Sequence, residues 1–270
     1  MLRVRVLYDK TGVTQDVGLP GGHGVLDHLR MLDSQPGGLR GCRIEIEEGD
    51  TKYDPEATRR AVIDWTHGPH WRDVSTVFGQ GTPPTQAINA LITSEKKLLI
   101  TTAFSGELAS PQPVEHDVGV PTLNPSFIEA TVPVRKRSPG YPFVFFQGSD
   151  YTTSSRVAMS FLWQRGAKRV GFMACSTTSF CTDPIDGAKT FLHVLGGTKV
   201  GRDLSLELDE SEASIEAKLT KYIDEELAHV SKDPSYAPID WIWFGNTRTT
   251  LGRFGRVLAK ISAAKKMSPS

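Results

Sequence analysis

The sequence predicts an α/β fold of two doubly wound parallel-sheet lobes, the second incomplete, and three observations predict it. Strand-like runs alternate with helix-like runs of period near 3.6 almost from the first residue. The alternation breaks once, between Ser110 and Gly140, where six prolines cluster and periodicity fades. It then restarts with the same strand–helix rhythm. Serial β–α units close a parallel sheet covered by helices on both faces. A restart implies a second such body, so the expected organisation is a lobe over residues 1–149 and a partial lobe over 150–270.

Each element has its own signal. Leu2 to Tyr8 alternates with period two and carries β-branched residues, a strand. Asp9 to Gly24 is rich in Gly, Thr, Asp and Pro and reads as a long loop, before Val25, Leu26, Leu29 and Leu32 recur at helical spacing. Glycines 37, 38 and 41 precede a second strand, Cys42 to Glu47. Asp54-Pro55-Glu56 is a helix start: a capping side chain, a proline at the first helical position, and a carboxylate near the positive end of the dipole. Ala57, Ala61, Val62 and Trp65 form that helix's expected buried face. Val74 to Phe78 and Lys97 to Thr102 are strands on either side of a helix from Pro84 to Ser94. The stretch from Ser110 to Gly140 reads as a surface excursion, and Tyr141 to Phe146 as a buried strand after it. In the second lobe the expected order is helix 154–164, strand 169–174, helix 183–195, a weak strand 204–208, helix 211–230, strand 241–244 and helix 250–261. The crossover falls near Gln147 to Asp150.

Bulk composition excludes several classes. Thirty-one basic residues offset thirty-one acidic ones in 270, without the basic excess of a nucleic-acid binder. The basic run Lys260 to Lys266 reads as a solvated helix end. No segment reaches the ~20 apolar residues of a membrane span, and a strand-like run begins at Leu2, where a leader peptide would stand. Cys42, Cys175 and Cys181 make an odd, irregular set; Cys175 and Cys181 are close enough to bridge, although the spacing favours two unpaired thiols.

Ligands of open parallel sheets bind beyond the carboxyl ends of the strands. That rule selects the loops Thr11 to Gly18, Gly79 to Pro84, Ala103 to Gly106, Ser176 to Asp183 and Gly245 to Thr250. They supply hydroxyls and backbone amides, which suit a carboxylate or other small anion. Phe104 and Phe180 add aromatic walls for an apolar or cationic portion. The same Gly, Ser and Thr residues also make ordinary turns and caps.

Catalytic patterns are poor by comparison. There is no nucleophile elbow and no Walker loop, and Gly79-Gln-Gly81 lacks the third glycine of a dinucleotide fingerprint. His67 and His70 lack further ligands for a metal and read as turn residues. Asp150 and Asp183 read as caps, and His28, His193 and His229 as mid-helix residues away from the loops. Neither a cofactor nor a metal is expected.

Taken together, Val6 to Gly18, Ile44 to Asp50 with Tyr53-Asp54-Pro55, Val77 to Gly79 with Thr82, Thr85 and Gln86, Leu99 to Ser105, Ser179-Phe180 and Trp243 to Thr249 stand in a specific order. In that order the chain resembles the type I periplasmic binding proteins, closest to the leucine/isoleucine/valine-binding receptors of ABC transporters. The resemblance implies a Venus-flytrap receptor that closes two lobes over a small amphipathic solute such as an amino acid or related amide or acid. It implies ligand contacts from Gly81 and Thr82, from Ala103, Phe104 and Ser105, and from Phe180 and Thr247 across the cleft. It further implies an ABC permease as partner and a periplasmic or extracellular location. Members of that family run on beyond the point matching Ser270, so a partial second lobe is expected. Two other accounts use the same residues: a cytoplasmic or truncated ligand-sensing module, and an α/β enzyme working in the cleft.

Overall fold

A computed structural model describes residues 1–101, 122–124, 144–146 and 151–265. The chain divides into two units, Met1–Tyr151 and Thr152–Ser270.

In the first unit β1 (Leu2–Tyr8), α1 (Gln15–Ser34), β2 (Ile44–Asp50), α2 (Pro55–Thr66), β3 (Val74–Gly79), α3 (Thr82–Ser94) and β4 (Leu98–Thr101) follow one another. Two further strands, β5 (Thr122–Asn124) and β6 (Val144–Phe146), complete a parallel sheet of order β2-β1-β3-β4-β5-β6. Period-two alternation in β1 sorts its side chains between two cores. Val4, Val6 and Tyr8 join Leu26 and Leu29 of α1, whereas Leu7 joins Val62 of α2 and Ile88 and Ile92 of α3. Leu7 is 1% exposed, a burial worth about 1.5–3 kcal/mol.

The second unit has α4 (Tyr151–Gln164) at its start, then β7 (Arg169–Ala174), α5 (Ser179–Leu195), β8 (Lys199–Ser205), α6 (Glu212–Lys232), β9 (Trp241–Gly245) and α7 (Arg248–Ala264). Its described sheet is parallel, in the order β8-β7-β9. Central β7 is covered on both faces: Val170 and Phe172 pack with Met159 and Leu192, and Met173 packs with Ile215, Leu219 and Phe254. The two parallel sheets agree with the predicted fold class.

Four local expectations need correction. Helix α1 begins ten residues before the predicted helical run, because Gly18 and Gly22 serve packing and not a loop. A Cβ at Gly18 would lie 2.1 Å from the Asp9 carbonyl oxygen, and one at Gly22 would lie 2.2 Å from the Tyr8 ring. The proline-rich excursion contains a strand, β5, paired between β4 and β6. Strand β8 lies five residues earlier than the weak strand read at 204–208. Leu206 and Leu208 are buried in the loop after it, where Asn246 Nδ2 and Thr250 Oγ1 donate to their carbonyls at 2.5 and 3.0 Å. Finally, Cys175 and Cys181 form a disulfide, and Cys42 is free and exposed.

The α2 start is as read from the sequence: Asp54 Oδ1 accepts the Ala57 amide at 2.6 Å, with Pro55 in the first turn. Thr58 joins Val62 as its fully buried pair, while Ala61 and Trp65 pack at the edge of the core. Among the described residues no helix is long and apolar enough to cross a membrane. The predicted crossover at 147–150 lies outside the described residues.

Candidate functional site

Parallel strands put all their carboxyl ends on one edge of a sheet, so the loops that follow β1, β2 and β3 are neighbours. Asp9, 1% exposed, organises the first of them. Its Oδ1 accepts the Gly12 amide at 2.5 Å, and its Oδ2 accepts the Thr14 amide and hydroxyl at 2.8 and 2.7 Å. Gln80, after β3, accepts the Asp9 amide at 3.3 Å and donates to the Val17 carbonyl at 3.2 Å. Asp50 joins the first loop to the second, accepting from the amides of Lys10 and Lys52 and from the Thr11 hydroxyl. Burial would raise the Asp50 carboxyl, but those hydrogen bonds hold it below its ordinary value.

The loop after β2 carries the unexpected feature. Lys52 and Tyr53 both take positive φ, 50° and 55°, a left-handed conformation that costs a non-glycine residue about 1–3 kcal/mol. The turn is held by Thr51, 0% exposed: its Oγ1 accepts the Tyr53 amide at 3.2 Å and its carbonyl accepts the Asp54 amide at 2.8 Å. Tyr53 is thereby laid across the start of α3. A Cβ at Gly81 would lie 2.5 Å from Cε2 of the Tyr53 ring, and Gly81 itself has φ +83°, so glycine is required twice over. Burial pushes the Tyr53 phenol well above its ordinary value, while the Thr82 amide donates to its oxygen and Asp9 adds a further rise. The phenol is protonated at any physiological pH.

Of the seven expected contact residues, Gly81 and Thr82 therefore meet at the start of α3, with Thr82 2% exposed. Ala103, Phe104 and Ser105 lie outside the described residues. Phe180 is on the first turn of α5 and half-buried. Thr247 is 5% exposed at the N-cap of α7, where its hydroxyl accepts the Thr250 amide.

In the second unit the loop between β7 and α5 is tied down at several points. The disulfide joins its first residue, Cys175, to Cys181 in the first turn of α5, and the Thr178 hydroxyl donates to Cys175 Sγ at 3.1 Å. Glu207, in the loop after β8, takes the rest. Its Oε1 accepts the Ser176 amide at 3.1 Å, the Ser176 hydroxyl at 2.5 Å and the Ser205 hydroxyl at 2.7 Å, and its Oε2 accepts the Thr177 hydroxyl at 2.8 Å. Burial alone would raise the Glu207 carboxyl, but these bonds outweigh it and hold it at about 2. Asp183 behaves in the opposite way. It sits inside α5, not at a cap, and its Oδ2 is buried with no hydrogen-bond partner among the described residues. Burial, then the neighbouring Asp186, push it up to about 6.

Tyr53 and Glu207 are not among the expected contacts for one reason: they stand in the loops after β2 and β8, outside the five strand-end loops that the sequence singles out. The signal was present, because in a parallel sheet every strand ends on the same edge. Among the described residues no group of three His, Cys, Asp or Glu side chains forms a metal site. His67 is exposed, its Nδ1 2.8 Å from the Ile63 carbonyl oxygen, a helix-end contact.

Comparison with known proteins bears on the family and the fold. The family described as periplasmic binding protein matches residues 2–215. No curated protein sequence matches at a significant level. The fold is similar to that of an ABC transporter substrate-binding protein from Aeropyrum pernix, at 20% identity and TM-score 0.68, over 96% of this chain and 57% of that one. It is similar to a fatty acid ABC transporter substrate-binding protein from Thermomonospora curvata, at 17% identity and TM-score 0.61, over 99% and 55%. It is also similar to an ABC transporter solute-binding protein from Rhodopseudomonas palustris BisB5, solved with 3,4-dihydroxybenzoic acid, at 15% identity and TM-score 0.62, over 97% and 59%. The chain spans less than three fifths of the length of each of these.

Proposed function

This chain belongs to the periplasmic binding protein family, and on that premise we propose that it is the substrate-binding receptor of an ABC-type uptake system for a small amphipathic solute. The observation that carries the reading is the family match over residues 2–215. The strand-end loops support it: they hold the polar groups that a solute would address, fixed before the solute arrives.

Under this reading the solute is an amino acid or a related amide or acid. Tyr53, with its oxygen on the Thr82 amide, offers a phenolic proton to an acceptor group. Phe180 offers a ring to the apolar portion, and the start of α7 at Thr247 adds a further polar wall. Ala103, Phe104 and Ser105 complete the proposed set. The solute shifts the population toward the form that binds it, and the chain acts by that shift without changing the solute chemically. A permease is the proposed partner that reads the bound form. The Cys175–Cys181 disulfide supports an exported location, since such bonds persist in oxidising compartments.

A thermal-shift screen tests the reading. The probes are the twenty amino acids, short amides, small aromatic acids and medium-chain fatty acids. A probe at a hundred times its dissociation constant stabilises the folded chain by about 2.7 kcal/mol, a raised melting point for at least one class. A flat response across all four classes, from a cooperatively melting protein, rejects it.

A further inference from the structure

The loop between β7 and α5 has lost the donors that its sequence advertises. Ser176 and Thr177 are exposed, and hydroxyls at such a place suit an anion when their protons point outward. Here each hydroxyl spends its single proton on Glu207, and so does the Ser176 amide. A hydroxyl has one proton and two lone pairs, so what remains on the outside of these oxygens is acceptor capacity alone. Among the described residues no donor reaches either oxygen. The carboxylate behind them keeps its charge uncancelled: among the described residues Glu207 makes no ion pair, whereas nearby Glu210 is paired with Lys218 at 2.6 Å. A charged acceptor polarises the hydroxyls bound to it and strengthens the next hydrogen bond they accept.

We propose that this loop recognises a hydrogen-bond-donor pole of the solute, an ammonium group, with Glu207 as the positioning residue that turns Ser176 and Thr177 into acceptors. The proposal rests on the receptor reading above and deepens it by assigning one pole of the solute to one loop. Glu207 acts through Ser176 and Thr177 and does not itself touch the solute. The disulfide keeps the acceptors in place by tying the start of the loop to the first turn of α5. Half-buried Phe180, in the first turn beyond the loop, supplies the ring face that a cation favours.

The test uses probe pairs that differ only in the α-ammonium group: leucine against 4-methylpentanoate, and phenylalanine against 3-phenylpropanoate. Titration calorimetry on the whole chain should show the amino acid of at least one pair bound about tenfold or more tightly than its partner, the loss expected for one charged hydrogen bond. Glu207→Gln, and separately Ser176→Ala with Thr177→Val, should narrow that ratio by weakening the amino acid more than the ammonium-free acid. A merely structural role would weaken both members of a pair alike. If the two members bind equally, or the ratio survives both variants, the proposal is overturned and the receptor reading stands. If neither member of either pair binds while other probes of the screen do, this assignment of an ammonium pole fails alone. If nothing binds at all, the receptor reading falls and takes the proposal with it. Should Glu207→Gln fail to fold, the wild-type ratio and the Ser176/Thr177 variant decide the matter.

Discussion

Two carboxylates that make no ion pair among the described residues show how surroundings decide protonation. Glu207 has its folded value lowered to about 2 by the donors around it. Its contribution to stability is therefore present above the unfolded value near 4.3 and is lost as pH falls through about 2. Glu207→Gln should cost about 1–2 kcal/mol at pH 7, read from chemical denaturation, and the difference from wild type should shrink as the pH is lowered from 5 toward 2. Asp183 has its folded value raised to about 6. Below about 4 both folded and unfolded chains carry the proton; as pH rises toward 6 and beyond, the folded chain must ionise a partly buried carboxyl, and stability is lost. Asp183→Asn should then raise the melting temperature at pH 7.5 by a degree or two, solvent screening keeping the effect small, with no gain at pH 4. Neither value was legible in the sequence. Asp183 read as a cap because it follows a loop-like run, and nothing local announces that α5 starts four residues earlier. Thr247, by contrast, does what its residue type suggests at a helix start, and Thr247→Ala should cost about 1 kcal/mol of stability by loss of the cap.

At the scale of elements, the strands and helices with strong periodicity were readable and those set by tertiary contact were not. Helix α2 declared itself through Asp54, Pro55 and Glu56, and central β7 through a continuous apolar run. Helix α1 did not, because four of its glycines and a proline look like a loop until Tyr8 and Asp9 are seen to need two of those glycines bare. Gly22→Ala should destabilise the chain by about 1–3 kcal/mol through its clash with the Tyr8 ring, measured by denaturant unfolding, while Gly24→Ala, with open space around it, should be neutral or stabilising. Strand β8 was misplaced since its own residues are polar and half-exposed, as an edge strand allows, and the alternating leucines lie beyond it. The disulfide was undecidable from six-residue spacing alone, because pairing needs the strand end and the helix turn to face one another. Replacing both Cys175 and Cys181 by Ser should lower stability by about 2 kcal/mol, the entropy of a short closed loop.

On the scale of the whole molecule, the order of degenerate pieces identified the family where no single motif could. Val6 to Gly18 and the Tyr53-Asp54-Pro55 turn are each weak, yet both fall within the family match over residues 2–215, whereas Trp243 to Thr249 lies beyond it. The candidate site is legible to the level of the sheet edge and not to the level of the side chain, since which way the Thr177 hydroxyl points depends on a carboxylate thirty residues away. The central claim is that a solute binds at the strand-end loops of this chain. Backbone hydrogen exchange, with and without a saturating solute from the screen, tests it most directly. The account predicts added protection in the loops at residues 9–14, 51–54, 80–82, 175–181 and 206–210, with the opposite ends of the strands unchanged. Protection confined to the strand starts or to the outer faces of the helices, with those loops unaffected, would contradict it.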